Sequence, residues 1–379
     1  MNNNEIMSMT NNLFEKKFNV KCESVISAPG RINIIGEHLD YNNGISISCA
    51  IDRWVCIGAS IRKDNKIIIY SDKFDSELIL DTDLNNDSSL LWHRYAIGSL
   101  KVFNNVNKIS SGMNIFINSN IPIGSGLSSS AAFEIALLSS YFKLFNIKFE
   151  KKEIAMLSQK IEHDYLNINS GMLDQISSIY SKKDNLILID FRDNSHEYIF
   201  NTIKGASFIA VNSMIKRELA DSQYIQRVKE CQKGYSLLGV NKIEIIMDSD
   251  LKELDSYPLI KKRFSHIISE YQRVRQMEQC IHNNNVIDIG RILKDSHKSL
   301  KNDYEVSCRE IDFLIDSSYE FSGWHGGRIM GGGFGGCTIN LVKDSLIPEY
   351  INFIKRNYKR EFNLELECYN LKMVESIIS

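Results

Sequence analysis

The run Ile121-Pro122-Ile123-Gly124-Ser125-Gly126-Leu127-Ser128-Ser129-Ser130-Ala131-Ala132 brings two glycines and three consecutive serine hydroxyls to the point where a helix begins. Glycines let the backbone approach an anion closely. A helix N-terminus adds unpaired N–H donors and partial positive charge, so the run predicts a phosphate cradle rather than only a serine-capped helix. It is not a Walker loop, because no lysine follows the second glycine at the required place. Nor is it a dinucleotide fingerprint, since Ser129 stands where the third glycine belongs. A second cluster, Gly331-Gly332-Gly333-Phe334-Gly335-Gly336, precedes a strand; glycines so placed mark a flexible turn or backbone lying close to a ligand or another domain. A third segment, Ala28 to Asn42, gathers Glu37, His38 and Asp40 within four positions. Such groups can both donate to and accept from a polyol. A metal site would want a second histidine nearby, and an exposed charged loop is the plain alternative.

These segments occur in one order with several others. Ala28 to Asn42 resembles the galactokinase signature, usually G-R-V-N-L-I-G-E-H-T-D-Y. The serine loop resembles the second motif of the wider GHMP kinase superfamily, and Gly327 to Cys337 resembles its third. Between them Gly171-Met172-Leu173-Asp174-Gln175 is similar to the family's G-I-M-D-Q. Asn212-Ser213-Met214-Ile215-Lys216-Arg217 and Ser222-Gln223-Tyr224 resemble its N-S-N-x-K-R and S-E-Y. Ser296-His297 with Ser299-Leu300, and Asp303 to Cys308, also fit, so the likeness runs from about residue 25 to 345.

The resemblance implies a sugar 1-kinase that moves the γ-phosphoryl of ATP, with Mg²⁺, onto the C1 hydroxyl of galactose. It implies that Asp174 accepts the proton of the attacking hydroxyl and that Arg31 beside it stabilises charge. Glu37, His38, Asp40, Gly171 and Tyr224 would hold the sugar. Gly124, Ser125, Gly126, Leu127, Ser128, Ser129 and Ser130 would cradle the phosphates, with Trp92 and Tyr95 near the adenine. Ser130 and Glu162 would help hold Mg²⁺. By residue type alone Trp92 and Tyr95 equally suit core packing, Glu162 a solvated helix face, and Tyr224 a packing role. Two departures from the family pattern bear on the sugar: Leu39 replaces the usual Thr, and Ser170 stands where Cys is common. They leave a kinase for a related sugar such as N-acetylgalactosamine as the nearest alternative, whereas Asn42-Asn43-Gly44 resembles the bacterial galactokinase form. A non-catalytic sugar and ATP sensor is the other alternative; the intact Ser130-Ala131-Ala132 and Asp174 speak against it.

The surrounding elements must position these groups. Period-2 alternation predicts strands at 45–48, 55–61 and around 113–117, the last leading into the serine loop. Ala131 to Phe145 reads as a buried helix, Lys152 to His163 as a second helix, and Leu186 to Ile189 as a buried strand. After a strand at 207–211 the spacing predicts helices near 222–237, 258–283, 286–300 and 308–320, then a strand at 337–342. This is an α+β pattern, with a boundary near 195–205 that separates an N-terminal domain, 1–200, from a C-terminal one, 201–379. The resemblance implies that the first is like ribosomal protein S5 domain 2 and the second ferredoxin-like, with the site in the cleft.

At 379 residues, two domains are the natural expectation. Forty-five basic and 47 acidic side chains give a formal charge of −2, which offers nothing to attract nucleic acid or an anionic membrane. No segment approaches the roughly 20 apolar residues of a spanning helix, and the Asn-rich N-terminus has no secretory character. Eight cysteines without a C-x-x-C pair fit a reduced, cytoplasmic protein. The resemblance implies small-molecule partners, the sugar and ATP, and the chain is expected as a monomer or homodimer.

Overall fold

The computed structural model describes residues 1–85, 87–122, 124–168, 170–215, 220–247, 249–376 and 378. Ile123 of the serine loop and Lys216-Arg217 of the segment that resembles N-S-N-x-K-R lie outside them.

The first half runs α1 (Asn3–Phe18), β1 (Ser24–Ile35), β2 (Ile45–Ile61), β3 (Lys66–Ser71), β4 (Ser76–Asp81), α2 (Leu91–Val106), β5 (Met113–Ser119), α3 (Ser129–Leu144), α4 (Lys151–Ile161), α5 (Leu173–Tyr180), β6 (Asn185–Asp190) and β7 (Ser195–Phe200). Its sheet has the order β4-β3-β5-β2-β6-β7, with β1 along the other edge of β2. The segments 45–48 and 55–61 are the two ends of one 17-residue strand, β2. One end pairs with β6 and the other with β5. Side chains on successive strand residues point to opposite faces. Val55 and Ile57 join the core, while Trp54 and Cys56 pack with Ile6 of α1. Helix α3 is apolar almost all round and lies largely buried against β1 and β2, which fixes the serine loop at its N-terminus on a rigid support.

The N-terminal Asn-rich stretch forms α1. Asn2 accepts from Glu5 N, and the Glu5 carboxylate accepts from Asn2 N, a reciprocal capping box.

The second half runs β8 (Ala206–Asn212), α6 (Ala220–Leu238), α7 (Pro258–His282), α8 (Val286–Asn302), α9 (Arg309–Ser318), β9 (Trp324–Ile329), β10 (Cys337–Lys343), α10 (Ile347–Phe362) and β11 (Glu367–Asn370). Its antiparallel sheet has the order β11-β8-β10-β9, the arrangement of a split β-α-β unit whose first crossover has been enlarged to four helices. The glycine run at 331–336 joins β9 to β10. Residues after β11 return to the first half, where Met373 bridges Ile51 and Val374 N donates to Ala50 O at 3.1 Å. One continuous apolar core runs through both halves.

Candidate active site

Strand β1 carries the first motif into the centre of the molecule. Pro29 cannot donate to the ladder, and it sits beside an irregularity in the β1–β2 register between Pro29 and Arg31. A Cβ at Gly30 would stand 2.5 Å from Leu127 O, so the glycine is what lets the serine loop lie on this strand. Arg31 N then donates to Leu127 O at 3.1 Å.

The Arg31 side chain is buried and tied at both ends. Its Nη1 donates to Gly126 O at 2.6 Å, and its Nε donates to Asp174 Oδ1 at 2.7 Å. Asp174 occupies the first turn of α5, where a negative charge is favoured. Its second oxygen, Oδ2, accepts from Ser128 Oγ at 2.5 Å. Ser128 caps α3 in a left-handed conformation, φ +57°, an uncommon backbone state for a serine. The structure therefore joins three motifs that are far apart in sequence at one carboxylate, whose side chain remains 27% exposed to the cleft.

That cleft is a cavity of about 270 Å³. Arg31, Glu37, His38, Asp40, Tyr95, Ser130, Glu162, Gly171, Asp174, Tyr224 and the glycines 331 and 332 all line it. A second, largely apolar cavity of about 710 Å³ lies on the other side of the serine loop, lined by Trp92, Tyr95, Gly124, Ser129 and Ser130 among others. There Trp92 lies parallel to Phe74, with ring centroids 6.0 Å apart. Tyr95 and Ser130 border both cavities, so a ligand in one can reach the other past the start of α3. Ser125 is turned inward, its hydroxyl donating to Pro122 O at 2.8 Å, and Leu127 is a core residue. From these two the loop offers backbone rather than side chains.

Glu37 is more constrained than its residue type suggests. One oxygen accepts from Asn33 Nδ2 at 2.5 Å; the other accepts from Gly331 N and lies 3.2 Å from Arg328 Nη1. His38 follows in a left-handed conformation, φ +64°. Burial, then the nearby His266 and Arg227, push its pKa well below the usual imidazole range, so the ring is neutral. Its Nδ1 meets Tyr41 OH at 2.9 Å, while Nε2 is buried with no hydrogen-bond partner among the described residues, an open hydrogen-bonding site at the cleft wall. Tyr224 packs 5.9 Å from the His38 ring.

Asp40 faces Gly171. A Cβ at Gly171 would stand 2.5 Å from Asp40 Cβ and 2.6 Å from its Oδ2. Burial first, then the charges of Asp174 and Glu37, push the Asp40 carboxyl up to about 7. Its unfolded value is near 3.8, so between these pH values the folded chain holds a proton that the unfolded chain has released. Stability from this group is full at low pH and is lost as pH rises through about 7. Asp40→Asn should therefore raise Tm at pH 8, by about 2 °C or more, and raise it by clearly less at pH 5, where only the first part of the loss has occurred. Thermal unfolding at both pH values checks this; equal effects at both would contradict it.

Glu162 opens a π-helical turn, Glu162–Leu166, a feature common at functional sites. Its Oε2 accepts from Ser170 Oγ and from Gln175 Nε2, the latter at 3.1 Å. Burial, against these bonds and with Asp174 and Asp40 nearby, pushes it up to about 7. Among the described residues no group of three or more His, Cys, Asp or Glu side chains could hold a metal unaided. One carboxylate plus a hydroxyl at Ser130 suits Mg²⁺, which keeps water and substrate phosphates as its remaining ligands. The excess of negative charge around Glu162 suits a cation there.

Of the two departures, Leu39 is fully buried behind the loop, in contact with Gly44, and does not line the cleft. Ser170 lines it and ties to Glu162. Sequence reasoning missed Ser128 as a direct partner of Asp174, and it missed Asn33, Arg328, His266 and Glu270 around Glu37. The last two had a readable signal: they fall on the apolar stripe of α7 beside Ile267 and Val274, where an ionisable side chain is out of place unless it has a partner.

Comparison with known proteins extends this geometry. The GHMP kinase N-terminal domain family matches residues 94–182, the GHMP kinase C-terminal family 277–360, and the galactokinase galactose-binding signature 12–61. A galactokinase of Staphylococcus carnosus is 35% identical over 96% of this chain and 97% of its own length. One of Thermosipho africanus is 34% identical over 93% and 98%. The crystal structure of Lactococcus lactis galactokinase complexed with galactose superimposes with a TM-score of 0.92 at 27% identity, covering 98% of this chain and 99% of that one. A mevalonate kinase at 21% identity and a TM-score of 0.64 shares the fold.

Proposed function

Because the chain belongs to the galactokinase family of the GHMP kinases, we propose that its cleft transfers the γ-phosphoryl of ATP to the C1 hydroxyl of galactose, giving galactose 1-phosphate and ADP, with Asp174 as the base. The observation that carries this reading is the placement of Asp174. Its carboxylate is gripped by Arg31 and Ser128, both tied to the serine loop, and it faces the cavity lined by the sugar signature.

Phosphoryl transfer asks the protein mainly for positioning and charge. Galactose sits in the polar cavity, held by Asp40, the unpartnered Nε2 of His38, Glu37, Tyr224 and the backbone at Gly171. Adenine takes the apolar cavity beside Trp92 and Tyr95. The phosphates cross between the two at Gly124 to Ser130, where backbone N–H groups and the α3 N-terminus face them. Asp174 Oδ2 accepts the C1 hydroxyl proton as the new P–O bond forms. Arg31 pairs with Asp174 and offers forked donors to the oxygens around the reacting centre. Ser130 and Glu162 would hold Mg²⁺, which neutralises charge on the phosphates when bound. Eight cysteines without a disulfide suit a reducing compartment, and we place the enzyme in the cytoplasm.

A panel of hexoses with ATP, read as sugar-dependent ADP release and 1-phosphate formation, tests the assignment. Galactose should give the highest kcat/KM. ADP release independent of galactose, or a clear preference for another hexose, would overturn it.

A further inference from the structure

The loop that carries Glu37, His38 and Asp40 belongs to the first half of the chain, yet the second half satisfies its main chain. Arg328 donates from Nε to Ile34 O at 2.9 Å and from Nη2 to Asn33 O at 2.7 Å. Glu270 Oε1 accepts from Gly36 N at 3.0 Å and from Glu37 N at 3.3 Å. His266 Nε2 lies 3.2 Å from Glu37 O; a carbonyl only accepts, so that nitrogen carries the hydrogen and donates. Glu270 and His266 stand one turn apart on α7 and hold the Gly36–Glu37 segment from its N–H and C=O sides.

Glu270 is the unusual member. It is fully buried, and burial alone would favour its neutral form. The charges of Arg273, then of His266 and Arg328, hold its carboxyl down at about 2. Arg273 Nε donates to Oε2 at 2.7 Å, and Ser296 Oγ donates to Oε1 at 2.9 Å. Two successive backbone N–H groups converging on one carboxylate oxygen form a small anion nest. It comes immediately before His38, whose left-handed backbone turns the chain toward Asp40.

We infer that Glu270 is a positioning residue for sugar recognition: from the opposite half of the molecule it fixes the main chain at Gly36–Glu37 and so aims Glu37, His38 and Asp40 into the cleft. The inference rests on the galactose-kinase reading. Glu270 does not line the cleft and touches neither substrate in this arrangement. Its effect should therefore fall on galactose and spare ATP.

The test is steady-state kinetics of the full-length protein with each substrate varied in turn, for wild type, Glu270→Gln and Glu270→Ala. Charge-assisted bonds to the two amides are lost or weakened, so the galactose KM should rise about 10-fold or more, more for Ala than for Gln, while the ATP KM stays within about twofold. A role confined to stability would lower Tm and leave the ratio of the two KM values unchanged. That outcome overturns the inference, as does a nearly isosteric Glu270→Gln protein that fails to fold. Should only Glu270→Ala fail to fold, Glu270→Gln decides. Wild-type protein without galactose-dependent turnover would refute the underlying assignment instead, so the two failures are distinguishable.

Discussion

Asp174→Asn should lower kcat with galactose by about 10²–10⁴-fold while leaving ATP binding nearly unchanged. The substitution keeps the shape of the side chain. Its remaining carbonyl oxygen can still accept from Arg31, and Ser128 Oγ can accept from the new amide, so both grips on residue 174 have a chemically allowed replacement. What disappears is the basic oxygen and the negative charge beside Arg31. The hydroxyl of the sugar would then have to lose its proton without a partner, and Arg31 would face the reacting centre with its charge unbalanced. Initial-rate kinetics combined with a thermal shift by ATP separate these effects. Turnover close to wild type in a folded, ATP-binding Asp174→Asn protein would remove the base from the mechanism.

Gly171→Ala should cost about 10²-fold in kcat/KM for galactose, from one added methyl group. The methyl would stand 2.5 Å from Asp40 Cβ, closer than side-chain atoms approach one another. Asp40 cannot easily yield, because its short 3₁₀ turn, Asp40–Asn42, is pinned by Asn42 Nδ2 donating to His38 O at 2.6 Å and by Tyr235 OH donating to Asn42 O at 3.1 Å. Residue 171 must move instead, and it precedes Asp174 by three positions. The change therefore displaces a sugar contact and the base together, whereas the apolar cavity beside Trp92 is untouched. The ATP KM should change by less than about threefold, as expected for a site outside the displaced segment. Separate titrations of the two substrates check this; a normal galactose KM would show that Asp40 and Gly171 do not meet the sugar.

How much of this was readable in advance differs by element. The serine loop and its helix were legible because glycines, hydroxyls and an uninterrupted apolar run are local signals, and α3 begins at Ser129, two residues before the expected start. The helical second half was legible for the same reason: 286–300 became Val286–Asn302, and 258–283 became Pro258–His282. Helix α1 was not, since its start signal is a single Asn–Glu pair hidden in an Asn-rich stretch. Strand β2 read as two pieces because Asp52 and Arg53 interrupt the alternation. The structure carries the strand through them, with Asp52 N donating to Lys372 O, a partner from the far end of the chain that no local pattern reveals.

The site divides in the same way. Family likeness gathered Arg31, Asp174 and the serine loop into one proposal, and their meeting at 2.5–2.7 Å is a property of the folded chain. The roles of Ser128 and Glu270 were not legible. A serine in a helix cap looks like a cap until its hydroxyl is seen to turn away from the helix amides and toward Asp174. A glutamate on the apolar stripe of α7 signals a buried partner but not which one; the two amides it holds lie 234 and 233 positions away. Leu39 was ambiguous because the residue type suits a pocket wall and a core alike; only the packing behind the loop distinguishes them.

A crystal structure with galactose and a non-hydrolysable ATP analogue examines the central arrangement most directly. An Asp174 carboxylate oxygen should lie about 2.6–3.2 Å from the C1 hydroxyl, with the terminal phosphate delivered from Gly124 to Ser130 on the opposite side of that oxygen. A bound sugar whose C1 hydroxyl points away from Asp174, or a terminal phosphate lodged elsewhere than at the serine loop, would contradict the account.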